Sequence, residues 1–304
     1  MGLTMPRIDP GARQRLTARF GQDVAAWFDA LPSVLRALAE RWQLELGPPI
    51  PRGSVSVVYW CRLADGRSAV LKVSPDRARV AFEAAALTGW HTVHSPAVLA
   101  RDAPRGALLL EAIEPGTPLV VSARYPALER VADLLGALHR GVPDGAYPPV
   151  EQRVAALFAS SATLYDRHDE LAARIPPELY ARGRRLAGRL AQEAGWRVLL
   201  HGDLTPSNLL DGGARGLVAI DPAPCRGDAA FDAVDLLLWQ AEDGATIAAR
   251  SAQLAAATGL AAERLRGWCV AFAAMVALEV GSQGTGPPAR IAALLELAAE
   301  APTG

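Results

Sequence analysis

Lysine and asparagine are almost absent from this 304-residue chain: each occurs once, as Lys72 and Asn208, against thirty arginines. A coding bias can make such residues scarce, but it does not choose where the exceptions fall. With arginine at every other cationic position, Lys72 marks a candidate site that needs a compact ammonium rather than a planar guanidinium. Charge of one sign is lacking too. The formal net charge is −1, which argues against a nucleic-acid binder, since phosphate backbones call for a clustered cationic surplus. The cluster Arg182, Arg184, Arg185 and Arg189 falls in a helical pattern and reads as a solvated face. Cysteine is rare: Cys61, Cys225 and Cys269 lie far apart, so neither a disulfide framework nor a zinc pattern is present. Idle thiols in a reducing cytoplasm are the expectation. Long hydrophobic runs are missing. The longest, Trp268 to Leu278, falls well short of the roughly 20 residues that span a bilayer. Met1 to Arg19 holds Asp, Pro and Arg and no apolar segment of a secretory signal. The expectations are a cytoplasmic location, no membrane or nucleic-acid partner, and a monomer or weak dimer.

About half of the residues are hydrophobic, which suits a globular chain with a real core and excludes disorder. Residues 12–46 carry apolar positions near a 3.6 period, with Pro32 a candidate break and Gly47-Pro48-Pro49 a stop. Val55–Leu63 and Ser68–Val73 read as a hairpin around the Asp65-Gly66 turn. Asp76 can cap a helix running to about Trp90. Val98–Arg101 and Ala107–Ile113 read as two more strands, and Glu114-Pro115-Gly116 breaks the pattern. Beyond it helices dominate: Tyr125–Arg140, Glu151–Ser161, Pro177–Glu193, Asp228–Gln240, Thr246–Thr258, Ala262–Gly281 and Pro288–Ala299. A short β-like patch lies at Val198–Asp221. Strands segregated from helices imply an α+β chain, with an N-terminal part over 1–113 and a helical part over 114–304.

The strongest segment is His201-Gly202-Asp203-Leu204-Thr205-Pro206-Ser207-Asn208, followed by Ala219-Ile220-Asp221-Pro222. An Asp, an Asn five residues on, and a second Asp thirteen residues later, at the end of the next strand, match the spacing of a phosphoryl-transfer loop. Such chemistry asks for an alcohol that is positioned and partly deprotonated, and for neutralised phosphate charge. Asp203 suits the base. Asn208 and Asp221 suit hard oxygen ligands for a metal that bridges phosphates. A capped turn uses the same residue types, yet it has no need of the second Asp. Lys72, in Ala69-Val70-Leu71-Lys72-Val73, sits where a strand lysine reaches nucleotide phosphates, with Glu83 on the following helix as its candidate partner. Arg52-Gly53-Ser54 holds a single glycine and no Walker A motif, which excludes a P-loop. Ser54 is the candidate phosphate contact there. Glu111 and Ile113, at the break between the two parts, are candidates for backbone contacts to an adenine edge.

These residues resemble the aminoglycoside phosphotransferases, within them the streptomycin 6-phosphotransferase and hydroxyurea phosphotransferase group. The resemblance runs nearly end to end, through Val70-Leu71-Lys72, Leu109-Leu110-Glu111 with Pro115-Gly116, Leu138-His139, His201-Gly202-Asp203 and Leu217 to Asp232. It implies a bilobal protein-kinase-like fold, with a small sheet-rich N-lobe and a mostly helical C-lobe. It also implies ATP or GTP as donor, Mg²⁺, and Asp203 as catalytic base. Cys225-Arg226 and Thr205-Pro206-Ser207 depart from the group's usual residues, near the acceptor rather than the reaction centre. The acceptor implied is a small, cationic molecule. A site for it should offer carboxylates without matching arginines. Asp228, Asp232, Asp235 and Glu279 are the candidates, with an N-cap at Asp228 and a loop anchor at Asp232 as the favoured readings of those two.

Overall fold

The computed structural model describes residues 8–51, 55–122, 124–140, 147–193, 197–284 and 287–300. They form two compact units that divide between Gly116 and Thr117.

Unit 1 is a five-stranded antiparallel sheet with helices. Two helices lead in, α1 (Pro10–Phe20) and α2 (Val24–Trp42). The strands are β1 (Glu45–Pro49), β2 (Val57–Arg62) and β3 (Ser68–Val73), then β4 (Val98–Asp102) and β5 (Ala107–Glu111), with α3 (Arg77–Trp90) between the two groups. Their order is β1-β2-β3-β5-β4. Two expectations are corrected. The leading helical stretch divides at Gly21, whose φ is +75°, and not at Pro32, which lies inside α2. The face formed by Phe28, Leu31, Leu35 and Leu38 is buried, and its burial outweighs the one backbone bond that a proline removes. Gly47-Pro48-Pro49 is part of a strand, not a stop. It is an edge strand, where a missing N–H can face away from the ladder.

Strand periodicity sets the two faces of this sheet. Ala69, Leu71 and Val73 join the core under α2 together with Tyr59, Cys61 and Leu109. Lys72 therefore points to the opposite face. Asp76 caps α3 through the Arg79 N–H at 3.0 Å, and α3 packs on β4 and β5.

Unit 2 begins with β6 (Thr117–Pro118) and the short α4 (Leu119–Ser122), then α5 (Leu128–Leu138), α6 (Val150–Arg167), α7 (Leu171–Arg174) and α8 (Pro177–Gln192). Short strands follow: β7 (Val198–Leu200), β8 (Leu209–Asp211), β9 (Leu217–Ala219) and β10 (Cys225–Gly227). The last helices are α9 (Val234–Leu238), α10 (Gly244–Thr258), α11 (Ala262–Ser282) and α12 (Pro288–Ala299). Every residue from Trp268 to Leu278 is buried. The longest apolar run is thus the core of α11, against which α6, α8, α10 and α12 pack. By length and composition α11 could cross a membrane, but 67% of its apolar window is buried inside the protein. Where α8 meets α11, a Cβ on Gly183 would lie 2.4 Å from the Ala271 carbonyl oxygen, so only glycine lets the helices approach this closely. Arg184, Arg185 and Arg189 are exposed as expected. Arg182 is instead half-buried and donates to the Ala298 and Ala299 carbonyls at the end of α12. The helix expected over Asp228–Gln240 is two pieces, a 3₁₀ turn over Ala229–Ala233 and then α9.

Candidate active site

In unit 1 the only lysine is bound by the expected carboxylate. Lys72 Nζ lies 2.6 Å from Glu83 Oε2, with side-chain exposures of 6% and 1%. An ammonium this deeply buried is retained only when a carboxylate neutralises it. Glu111 ends β5 and is tied to the residue before β4: its N–H donates to the Ala97 carbonyl at 2.9 Å, and its Oε2 accepts from the Ala97 N–H at 3.1 Å. Both its N–H and its carboxylate therefore serve the sheet. Ile113 is buried just beyond. Ser54 lies outside the described residues.

Unit 2 brings His201, Asp203, Asn208 and Asp221 together by two crossing loops. The first runs between β7 and β8 and the second follows β9. They are laced by the Ile220 N–H to the Asn208 carbonyl and the Ala223 N–H to the His201 carbonyl, both at 2.9 Å. Gly202 makes that approach possible. Its φ is +74°, and a Cβ there would sit 2.1 Å from the Ala223 carbonyl oxygen. Asp221 also has a positive φ, +57°. That is an uncommon conformation for a residue with a side chain, and such positions concentrate at functional sites.

His201 is fully buried and bridges the two loops. Its Nδ1 accepts from the Asp203 N–H at 3.3 Å, and its Nε2 lies 3.0 Å from the Ile220 carbonyl oxygen. This pattern requires the neutral tautomer with the proton on Nε2. Burial agrees, pushing the imidazole below its ordinary range despite the nearby Asp232. Asp232 lies beneath the loop. Its two oxygens accept from the N–H groups of His201 at 2.8 Å and Gly202 at 2.9 Å, and His139 Nε2 lies 2.9 Å from Oδ2. Burial by itself opposes its charge, but the His139 contact and these N–H groups hold the carboxyl below the usual range.

Asp203 is gripped from two sides. Asn208 Nδ2 donates to its carbonyl oxygen at 2.9 Å and to Oδ2 at 3.0 Å. Asn208 thus spends its amide nitrogen on Asp203 and keeps its carbonyl oxygen for another use. That division of labour explains the choice of an amide. From α6, Arg153 Nη2 donates to Asp203 Oδ1 at 2.7 Å, and its Nε to the Gly202 carbonyl at 2.7 Å.

The four acceptor candidates separate into two pairs. Asp228 caps the 3₁₀ turn through the Ala230 N–H, and its Oδ2 takes Arg264 Nε at 2.5 Å and Trp268 Nε1 at 2.6 Å. Asp228 and Asp232 are therefore internal ties, not free carboxylates; the chain's own donors already occupy their oxygens. Asp235, on α9, and Glu279, on α11, differ. Both are pushed up to about 7, first by burial and then by neighbouring negative charge. Asp203 raises both, and Asp235 raises Glu279. Asp203, Asp235 and Glu279 thus form one patch in which Asp203 acts on the other two and Asp235 on Glu279, with Arg153 as the cation that acts on Asp235. Arg153 was not among the residues singled out by sequence, and His139 stood there only within the Leu138-His139 match. Arg153 reads there as one more polar residue in a helix's first turn. His139 carries no local sign of a partner 93 positions away.

A buried Lys–Glu pair on a strand and helix, together with an Asp–Asn–Asp set on crossed loops, defines a phosphotransferase of the protein-kinase-like fold. The model of the aminoglycoside/hydroxyurea antibiotic resistance kinase family matches residues 41–284, and the chain belongs to that family. The chain is 30% identical over 271 residues to the hydroxyurea phosphotransferase of Kitasatospora aureofaciens, covering 85% of this chain and 76% of the relative. It is 29% identical over 248 residues to the streptomycin 6-kinase of Streptomyces griseus, covering 78% and 74%. Among solved structures, an aminoglycoside phosphotransferase in ternary complex with ADP and hygromycin B superposes with a TM-score of 0.58 at 16% identity, covering 88% of this chain and all of that one. The protein is an ATP-dependent kinase of a small hydroxyl compound.

Proposed function

We propose that the chain transfers the γ-phosphate of ATP to a hydroxyl of a cationic aminoglycoside, with streptomycin as the first acceptor to test, in the cytoplasm and as a monomer or weak dimer. Asp203 is the base that takes the hydroxyl proton. Lys72, held by Glu83, is the ammonium for the nucleotide phosphates. The Glu111 carbonyl and the Ile113 backbone serve the adenine edge and Ser54 a phosphate. GTP is the alternative donor.

The residues fit Mg²⁺. Asn208 offers a carbonyl oxygen and Asp221 a carboxylate, and both are hard ligands. Among the described residues no group of three or more His, Cys, Asp or Glu side chains could hold a metal by itself. That suits an ion which takes one or two protein ligands and completes its shell with phosphate oxygens and water. When bound, the ion neutralises charge on the transferring phosphoryl group.

The observation that carries the cationic acceptor is the carboxylate patch. Asp235 and Glu279 are held up at about 7, first by burial and then by neighbouring carboxylates, Asp203 for both and Asp235 for Glu279. An acceptor bearing guanidinium or ammonium groups supplies the missing positive charge and draws both into the ionised form. The hydroxyurea phosphotransferase relative keeps a second reading open, since hydroxyurea is small and uncharged. The test is ATP consumption with streptomycin, hydroxyurea and neutral amino-sugar analogues, with Asp203→Asn as control. Turnover of hydroxyurea with none of streptomycin would sink the cationic reading and leave the kinase intact.

A further inference from the structure

We propose that Arg153 is a positioning residue for the phosphoryl transfer, holding the Asp203 carboxylate in the rotamer from which it meets the acceptor hydroxyl. The inference rests on Asp203 being the base. Arg153 makes two contacts with consecutive residues of the loop: Nε to the Gly202 carbonyl and Nη2 to Asp203 Oδ1, each at 2.7 Å. Two donors in a fixed planar fork define a direction as well as a distance. Asn208 holds the other oxygen. One oxygen is thus fixed by a cation from a helix and the other by an amide from the loop, and each retains a lone pair for the substrate.

The helix that carries Arg153 is itself anchored to this loop. The Arg226 N–H on β10 donates to the Pro148 carbonyl at 2.8 Å, two residues before α6 begins. A Cβ on Gly227 would collide with Val150, the first residue of α6. Glu151 takes Arg197 Nη2 at 3.0 Å, just before β7. β7 runs straight into His201, and β10 is its antiparallel partner. The first turn of α6 is therefore tied to both strands that frame the catalytic loop, and a rigid element delivers the guanidinium. Asn208 alone is a weaker holder, because it is also the proposed metal ligand and its orientation has to satisfy both tasks.

The test compares Arg153→Met, Arg153→Lys and Asp203→Asn with the wild type, using Mg²⁺, ATP and streptomycin or hydroxyurea. Arg153→Met is expected to lower kcat about 10- to 100-fold, the scale of a misplaced reacting group, with the KM for ATP unchanged. Millimolar guanidinium is expected to restore part of that rate and to do nothing for Asp203→Asn. Arg153→Lys should fall between, because one ammonium cannot serve both oxygens in the same geometry. A crystal structure of Arg153→Met without acceptor gives a readout that needs no turnover: the Asp203 carboxylate should rotate away or split between rotamers. An unmoved carboxylate, a wild-type or faster kcat, or a loss of rate that tracks a lowered melting temperature without guanidinium rescue, each overturns the proposal. If Asp203→Asn itself kept the wild-type rate, the base assignment would fail instead.

Discussion

The candidate site residues of the two units bury charge in opposite ways. In unit 1 one ammonium meets one carboxylate, Lys72 against Glu83 at 2.6 Å, both nearly inaccessible. In unit 2 Asp203 acts on two further carboxylates, Asp235 and Glu279, and Arg153 is the cation paired with Asp203. A balanced pair holds its geometry before anything binds. An unbalanced patch stores a cost that a positively charged ligand removes. On the proposed reading, the donor residues are set by internal complementarity, and the acceptor residues by what they lack.

The largest effect that would break this contrast is at Asp203. Asp203→Asn keeps the shape and the Arg153 contact but cannot take a proton. Its kcat should fall about 10²–10⁴-fold while ATP still binds, measured by turnover against nucleotide titration. Next is the balanced pair. Lys72→Met leaves Glu83 buried without its cation, so a melting curve should show a loss of about 3–5 kcal/mol, alongside a strong fall in kcat. The double variant Lys72→Met, Glu83→Leu should recover much of the stability and none of the rate. Recovery of rate would detach the pair from catalysis.

The unbalanced patch predicts a smaller effect with a distinctive pH signature. Asp235 and Glu279 hold protons up to about pH 7 in the folded protein, whereas unfolded carboxyls release theirs near pH 4. Between those values the unfolded chain binds fewer protons, so these groups lower stability as pH rises from about 4 to about 7. Asp235→Asn and Glu279→Gln should therefore raise the melting temperature at pH 8 and change it little at pH 4. On the proposed reading, each should also raise the KM for streptomycin about tenfold or more. In the wild type that KM should fall as pH rises from 6 to 8. A KM for streptomycin that ignores both pH and these substitutions would put the cation elsewhere.

Much of this was legible in the residues, and the reasons differ by feature. β3 and α12 match their expected spans, Ser68–Val73 and Pro288–Ala299, because alternation and an N-terminal proline are local signals. The Lys72–Glu83 pair was legible because one lysine in the chain has few explanations. The spacing of Asp203, Asn208 and Asp221 was legible because loop chemistry is written in adjacent residues. Arg153 was not: its meaning comes from a helix start anchored on strands β7 and β10, a tertiary fact with no local trace. Gly47-Pro48-Pro49 misled for a related reason, since only the pairing with β2 makes it an edge strand.

Asp228 carries the smallest effect on activity and separates the two kinds of buried carboxylate most directly. By sequence it stands with Asp235 as an acceptor candidate, with an N-cap as its structural reading. In the structure its Oδ2 takes Trp268 Nε1 and Arg264 Nε, and its other oxygen caps the turn at Ala230. Asp228→Asn turns an amide against donors and leaves the buried indole N–H short of an acceptor. The expected cost is about 1–3 kcal/mol, read as a lower melting temperature. Below that temperature both kcat and the KM for acceptor should stay at wild-type values, because neither Arg264 nor Trp268 can give up this carboxylate to a ligand without the same cost. A raised KM for acceptor at unchanged stability would move Asp228 out of the core's internal ties and into the acceptor patch beside Asp235 and Glu279.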